Sequence, residues 1–241
     1  MSPWLTPDWP IPANVRACVT TRAGGVSLEP FDSFNLGDHV GDDPAAVAEN
    51  RHRLTAELGC QPAWLSQVHG IDVVEADPSV VSTADASWSA TRGIACTIMT
   101  ADCLPALFCD RAGTRVGAAH AGWRGLAGGV LEATVDAMGL APVELLVWLG
   151  PSIGPQAFEV GPEVREAFLK GHAEAERAFL PSANAGKYMA DIYELARIRL
   201  AVKGVTAVYG GDFCTFTDTE DFYSYRRNAC TGRLASLVWL A

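Results

Sequence analysis

Apolar positions fall into short runs of two kinds, and their spacing predicts strands alternating with helices. Residues 15–20 (VRACVT), 94–100 (IACTIMT), 145–149 (LLVWL) and 234–240 (LASLVWL) are near-continuous apolar runs rich in β-branched residues, the mark of strands buried on both faces. Residues 104–109 (LPALFC) form another such run, with Pro105 restricting it to a strand start, an edge or a bulge. Residues 63–68 predict a short strand ending at His69, 115–119 one that delivers His120 at its end, and 205–209 a further strand. Helical spacing marks the run after Pro44, where Ala46, Val47, Leu54 and Leu58 are apolar and Gly59 supplies a stop. It returns over 126–138, weakened by Gly128 and Gly129, and over 162–169 and 190–203. No repeat of fixed period interrupts this order. The pattern predicts an α/β (α+β) layered sandwich of mixed sheets flanked by helices, without specifying the strand order.

Composition narrows the picture. A chain of 241 residues, 49% hydrophobic and 19% charged, can bury a sizeable core. No linker or low-complexity tract divides it, so a single domain over 1–241 is expected. The net charge of −10 argues against nucleic acid or an anionic membrane surface as the main partner. An anionic substrate would have to be held by a few local arginines. The first residues, MSPWLTPDWPIP, lack the basic and apolar regions of a signal peptide, and no apolar run is long enough to span a membrane. Seven cysteines, an odd number without a CxxC pair, fit a reducing compartment, and a cytoplasmic location is expected.

Three reactive side chains stand where predicted strands end: His69, Cys103 and His120. Loops at strand ends present groups that a rigid scaffold holds accessible. Two imidazoles and a thiolate suit Zn²⁺, and three protein ligands leave a fourth position for water or substrate. Their spacing is not that of a local zinc motif. The alternatives are a buried apolar Cys103 with two satisfied histidines, or Cys103 as a nucleophile with a histidine base. Asp102, next to Cys103, is either a carboxylate that orients a ligating histidine or a turn cap. In HAGWRG (120–125), Gly122 and Gly125 let the backbone approach a ligand, Arg124 offers a guanidinium to phosphate or ribose, and Trp123 reads first as a core residue. TRAGGVS (21–27) places Arg22 beside a Gly-Gly turn able to form an anion nest, and Asn35 and Arg51 are further polar candidates.

Taken in order, SQVHG, TADCLP, HAGWRG, GPSIG and FYSYRR, with TRAGGVS and NLGDHVGDD before them, closely resemble the bacterial laccase-domain family, also described as polyphenol oxidases or multicopper-oxidase-like. The resemblance runs from about Val15 to the end. It implies zinc held by His69, Cys103 and His120; beside these three in the catalytic set stands Asp102, read from its position next to Cys103 as the candidate general acid for deamination. The implied reactions are phosphorolysis of adenosine, inosine, guanosine and methylthioadenosine, with adenosine deamination alongside. It carries over Arg22, Asn35, Arg51 and Arg124 as phosphate or nucleoside contacts. The segment GPSIGPQAFEV departs from relatives that have a Cys-Cys pair where this chain has Gln156-Ala157, so no catalytic role is assigned there.

Three other functions compete. A multicopper oxidase needs roughly ten histidines, usually with His-x-His pairs, and this chain has five and no such pair. One copper in a His₂Cys site with Met99 as axial ligand remains chemically open, so a copper-dependent polyphenol oxidase stays an alternative. A second alternative is an amide hydrolase that edits peptidoglycan precursors, with a thiolate or a zinc-activated water as nucleophile. The third is a non-catalytic binding module, for which a fourth protein ligand to zinc would be expected. The leading expectation is a zinc-dependent purine nucleoside enzyme whose partners are small molecules, a purine nucleoside and phosphate.

Overall fold

The computed structural model describes residues 4–241 and shows four layers. Two large sheets pack face to face in the middle. One has four strands, in the order Val15–Val19, Leu234–Leu240, Ile94–Thr100, Gln61–Ala63. The other has six, in the order Ala207–Gly210, Leu145–Leu149, Leu104–Asp110, Val116–Ala121, Ala86–Ser89, Val73–Glu75. Both mix parallel and antiparallel pairs.

The period of two along each strand explains how both faces are filled. In Leu104–Asp110, Leu107 and Cys109 face the four-stranded sheet, where they meet Val19, Cys96, Ile98 and Val238. Leu104, Ala106 and Phe108 face the other way, toward the helices Trp123–Gly128, Val130–Met138, Pro162–Leu169 and Ile192–Lys203. The outer face of the four-stranded sheet is covered by Phe34 and Leu36 and by Leu54 of the helix Pro44–Leu58. Full burial of side chains of this size contributes about 1.5–3 kcal/mol each. The expected layered α/β sandwich is therefore the observed fold. Among the described residues no helix is long and apolar enough to cross a membrane.

Differences from the sequence reading have local causes. The predicted 126–138 helix is two helices that meet at Gly129, whose φ of +107° only glycine adopts without strain. The predicted 63–68 strand divides at Trp64 into two short pieces that join different sheets. His120 lies inside the strand Val116–Ala121 rather than after it, because pairing with Leu104–Asp110 continues to Ala121. Pro105 is the second residue of a central strand, near its start. There its missing N–H leaves the register opposite His120 intact, and its carbonyl accepts from Gly150 N–H.

These connections place one end of the double sheet at the site. Ala101, Asp102 and Cys103 are the whole link between Ile94–Thr100 in one sheet and Leu104–Asp110 in the other. Antiparallel pairing sets the start of that second strand beside the end of Val116–Ala121, and so Cys103 beside His120.

Candidate metal and substrate site

His69, Cys103 and His120 converge, with their donor atoms all within 4.8 Å of one another. The Cys103 Sγ lies 3.8 Å from His69 Nε2, and the two imidazole rings meet edge to face with centroids 4.7 Å apart. Each donor arrives from a different segment, and the backbone bends to bring it there. His69 has φ +61° and Asp102 φ +84°, the only two non-glycine residues with positive φ among those described. Such strained residues persist where surrounding bonds over-determine them.

For His69 those bonds come from Asp85, which sequence reasoning missed. The Asp85 carboxylate is fully buried and accepts four hydrogen bonds: from the N–H groups of Val68 (3.1 Å), His69 (2.9 Å) and Gly70 (2.6 Å), and from His120 Nδ1 (2.8 Å). One side chain thus shapes the loop carrying one donor and orients the ring carrying another. As an acceptor it holds the proton on His120 Nδ1, so that Nε2 is the nitrogen turned toward the other two donors and the one a metal would take in place of its proton. Burial pushes the Asp85 carboxyl up, but the hydrogen bonds from His120 and Gly70 and the charge on His120 outweigh it and hold the group below the ordinary carboxylate range. The only signal in sequence is a lone acid at the head of a run of small residues, ADASWS, which looks like a turn.

The same contest sets the sulfur. Burial raises the Cys103 thiol, yet the charge of His120 and hydrogen bonds with His120 and His69 reverse the effect and lower it. Burial lowers His120, while Cys103 and Asp85 raise it further. A deprotonated sulfur near neutral pH is the form that binds a metal or attacks a carbonyl.

Gly122 shows why the motif carries glycine here. A Cβ on Gly122 would lie 2.9 Å from His69 Cδ2, 3.0 Å from Cys103 Sγ and 3.5 Å from His120 Nε2. The backbone packs directly against the three donors, so even a methyl group would displace them. Gly122→Ala is expected to lower zinc affinity about tenfold or more, measured by competition with a chromogenic chelator; unchanged affinity would show that the donors move freely. A soft thiolate, two imidazoles and a carboxylate behind one of them form a donor set that fits a zinc-like ion.

The three donors line a cavity of about 480 Å³, a size suited to a small organic substrate. Trp123, Ile153, Phe158 and Ile192 form its apolar part, and Gln67, Thr100, Arg226 and Arg233 its polar part. Trp123 therefore packs on the core, as expected, and also faces the cavity.

The expected arginine contacts stand elsewhere. Arg22 donates to the Asp32 carbonyl and carboxylate and to the Thr219 carbonyl, and is not on the cavity wall. The Gly-Gly turn beside it makes no open nest: Gly25 N–H donates to Ser33 and Val26 N–H to Asn50. Asn35 is buried with both ends of its amide used, donating to Gly37 and Asp42 and accepting from the N–H groups of Gly37 and Arg233. Arg51 stacks on Trp64, pairs with Asp38 and donates to Leu36, outside the cavity lining. Arg124 is exposed and lies over the Trp123 ring, 4.3 Å from its centre, also outside the lining. Asp102 reaches the cavity, but its carboxylate accepts from Thr215 Oγ1 and Arg226 N–H and touches no histidine; the orienting carboxylate is Asp85. Local partners therefore occupy Arg22, Asn35, Arg51 and Asp102, whereas Arg124 stays exposed on the Trp123 ring.

Of the other histidines, His39 sits beside Asp38, His52 is exposed on its helix and His172 is beside Glu174. Among the described residues only one group of three metal donors forms, far from what a multicopper oxidase requires.

Comparison with known proteins gives a consistent picture. A profile of the family described as multi-copper polyphenol oxidoreductase laccase matches residues 16–241. A Pseudomonas aeruginosa protein named purine nucleoside phosphorylase is 74% identical over 240 residues, covering 100% of this chain and 99% of its own. Escherichia coli YfiH, also named purine nucleoside phosphorylase, is 57% identical with both chains fully covered. A crystal structure from Neisseria meningitidis superposes with a TM-score of 0.96 at 53% identity, over 98% of each chain.

Proposed function

Because this chain belongs to the laccase-like polyphenol oxidoreductase family, we propose that it is a purine nucleoside phosphorylase working on adenosine, inosine, guanosine and methylthioadenosine, with adenosine deamination as a second reaction. The observation that carries the reading is the cavity itself. An apolar and aromatic part large enough for a purine adjoins a polar part, and the three donors stand on the same wall.

His69, Cys103 and His120 would hold a zinc ion, which when bound supplies a Lewis acid at that wall. The chain's own groups do the rest. Trp123, Ile153, Phe158 and Ile192 shield the base from water, and Asp85 keeps the proton of His120 on Nδ1. In phosphorolysis a phosphate oxygen forms a bond to C1′ while the C1′–N9 bond breaks. The electron pair stays with the purine, which takes up a proton, and ribose 1-phosphate is released. Holding phosphate and nucleoside together in one enclosed site contributes most of what such a displacement needs. The free thiols and the small-molecule partners support a cytoplasmic location.

Chromatography of products from adenosine, with and without phosphate, tests the reading. Phosphate-dependent adenine marks phosphorolysis, and phosphate-independent inosine marks deamination. No turnover by the zinc-loaded protein would refute it. A second reading rests on the chain Asp85–His120–Cys103, which is also the arrangement of a thiol hydrolase with a His base and an orienting acid. That reading corresponds to the amide-hydrolase alternative, and the geometry does not name its substrate.

A further inference from the structure

Arg233 has the features of an anion-binding group that its own protein leaves unpaired. It immediately precedes the strand Leu234–Leu240, whose register sets Leu234 opposite Thr100. That pairing brings Arg233 to the sheet end from which Ala101, Asp102 and Cys103 emerge, and its side chain lines the cavity with the three donors.

The surroundings hold it in place. Its N–H donates to Asn35 Oδ1 (2.8 Å) and its carbonyl accepts from Leu36 N–H (3.2 Å). Gly37 leaves room for the stem, since a Cβ there would stand 2.7 Å from Arg233 Cγ. Nη1 donates to the carbonyls of Thr231 and Gly232, both at 3.0 Å, while Nε and Nη2 have no hydrogen-bond partner among the described residues.

What is missing around it is a carboxylate. Arg22, Arg51, Arg165, Arg177 and Arg199 each have an acid within 4.0 Å, whereas Arg233 has none among the described residues. The one acid lining the cavity is Asp102, and its oxygens already accept from Thr215 and Arg226. Burial lowers the Arg233 guanidinium, with Cys103, Tyr225 and Asp102 opposing, so the charge is partly desolvated and not neutralised by an ion pair. Arg226, the other guanidinium of the lining, is placed differently. It lies over Phe158 and donates to the carbonyls of Ala157 and Glu159, which puts it at the aromatic part. A chain of net charge −10 repels a dianion at long range, so a phosphate that enters needs a cation waiting inside.

We propose that Arg233 binds the inorganic phosphate co-substrate, its free Nε and Nη2 forking two phosphate oxygens beside Cys103, while Phe158 and its neighbours take the purine. This assignment rests on the phosphorylase reading for its role in turnover. Anion binding by Arg233 stands apart from that reading and is measured separately.

The experiment uses the zinc-loaded full chain and the variants Arg233→Gln and Arg233→Lys. Phosphorolysis rates are read against phosphate and against inosine, with zinc content as a control for folding. Line broadening of the ³¹P signal of inorganic phosphate reports binding without turnover. Arg233→Gln is expected to raise the KM for phosphate about tenfold to a hundredfold, with the KM for inosine and the zinc content changed by less than about threefold. Arg233→Lys, which keeps a charge but not the fork, should recover part of the loss. The ³¹P broadening seen with wild type should disappear in the Gln variant. An unchanged KM for phosphate in an active Gln variant, or equal broadening in both proteins, would overturn the proposal. Phosphate broadening that depends on Arg233 in a protein without phosphorolysis would sink the phosphorylase reading and leave the anion site standing.

Discussion

Asp85→Asn is expected to destabilise the protein by about 3–5 kcal/mol and to cut zinc affinity about tenfold to a hundredfold, although the side chain keeps its shape. All four groups facing Asp85 are donors: three backbone N–H groups and His120 Nδ1. Val68 and Gly70 face Oδ2, and His69 and His120 face Oδ1. An asparagine presents an NH₂ group to one pair or the other whichever way its amide turns, so two donors are left opposed by a donor inside the protein. Urea unfolding of the metal-free protein measures the first effect. The Asp85 carboxyl titrates below its ordinary value in the folded state. Its stabilisation is therefore complete above about pH 4, the unfolded-state value, and is lost as pH falls through the lower folded-state value. The gap between wild type and variant should narrow across that range. A gap under about 1 kcal/mol at neutral pH would mean that the loop at His69 does not depend on this carboxylate.

Cys103→Ser should remove most bound zinc and lower phosphorolysis about a thousandfold or more, because a serine hydroxyl stays protonated at neutral pH and is a poor partner for a borderline-soft ion. Elemental analysis and initial rates read the two losses. The wild type treated with a chelator separates the two functions open to this sulfur. Activity lost to chelator and restored by added zinc identifies the sulfur as a ligand, whereas activity that survives chelator and is lost on alkylation identifies a nucleophile. Cys103→Ser with full zinc and full turnover would exclude both roles.

The strands Ile94–Thr100, Leu145–Leu149 and Leu234–Leu240 were readable to the residue because they are buried on both faces, and an apolar run bounded by polar or glycine residues has one reading at that length. The strands Val73–Glu75, Ser82–Thr83, Ala86–Ser89, Glu159–Val160, Phe179–Pro181 and Tyr188–Ala190 leave no mark in the apolar pattern. Two to four residues carry no measurable period, and most of them pair with one another, so that only the fold brings their edges together.

The site divides along the same line. His69, Cys103 and His120 could be named from their motifs and from the strand ends near them, and the fold brings them together. Arg22, Asn35, Arg51 and Arg124 were marked by equally suggestive neighbours, and the fold puts none of them on the cavity. The difference is physical. A thiol or an imidazole has few local groups that can use it up, whereas the guanidiniums of Arg22 and Arg51 and the amide of Asn35 are taken by carbonyls, carboxylates and N–H groups that folding brings near, and Arg124 turns to solvent over Trp123.

The sequence by itself determined the layered α/β class and the principal strands, because burial period is a local property, and marked His69, Cys103 and His120 as candidates through their motifs. Only the tertiary structure decided that Asp85 supports two of those donors, that Gly122 makes room for all three and that Arg233 lines the cavity with Nε and Nη2 free. Each of these depends on which residues meet across 15 to 198 positions of chain, and chain separation on that scale leaves no periodic trace.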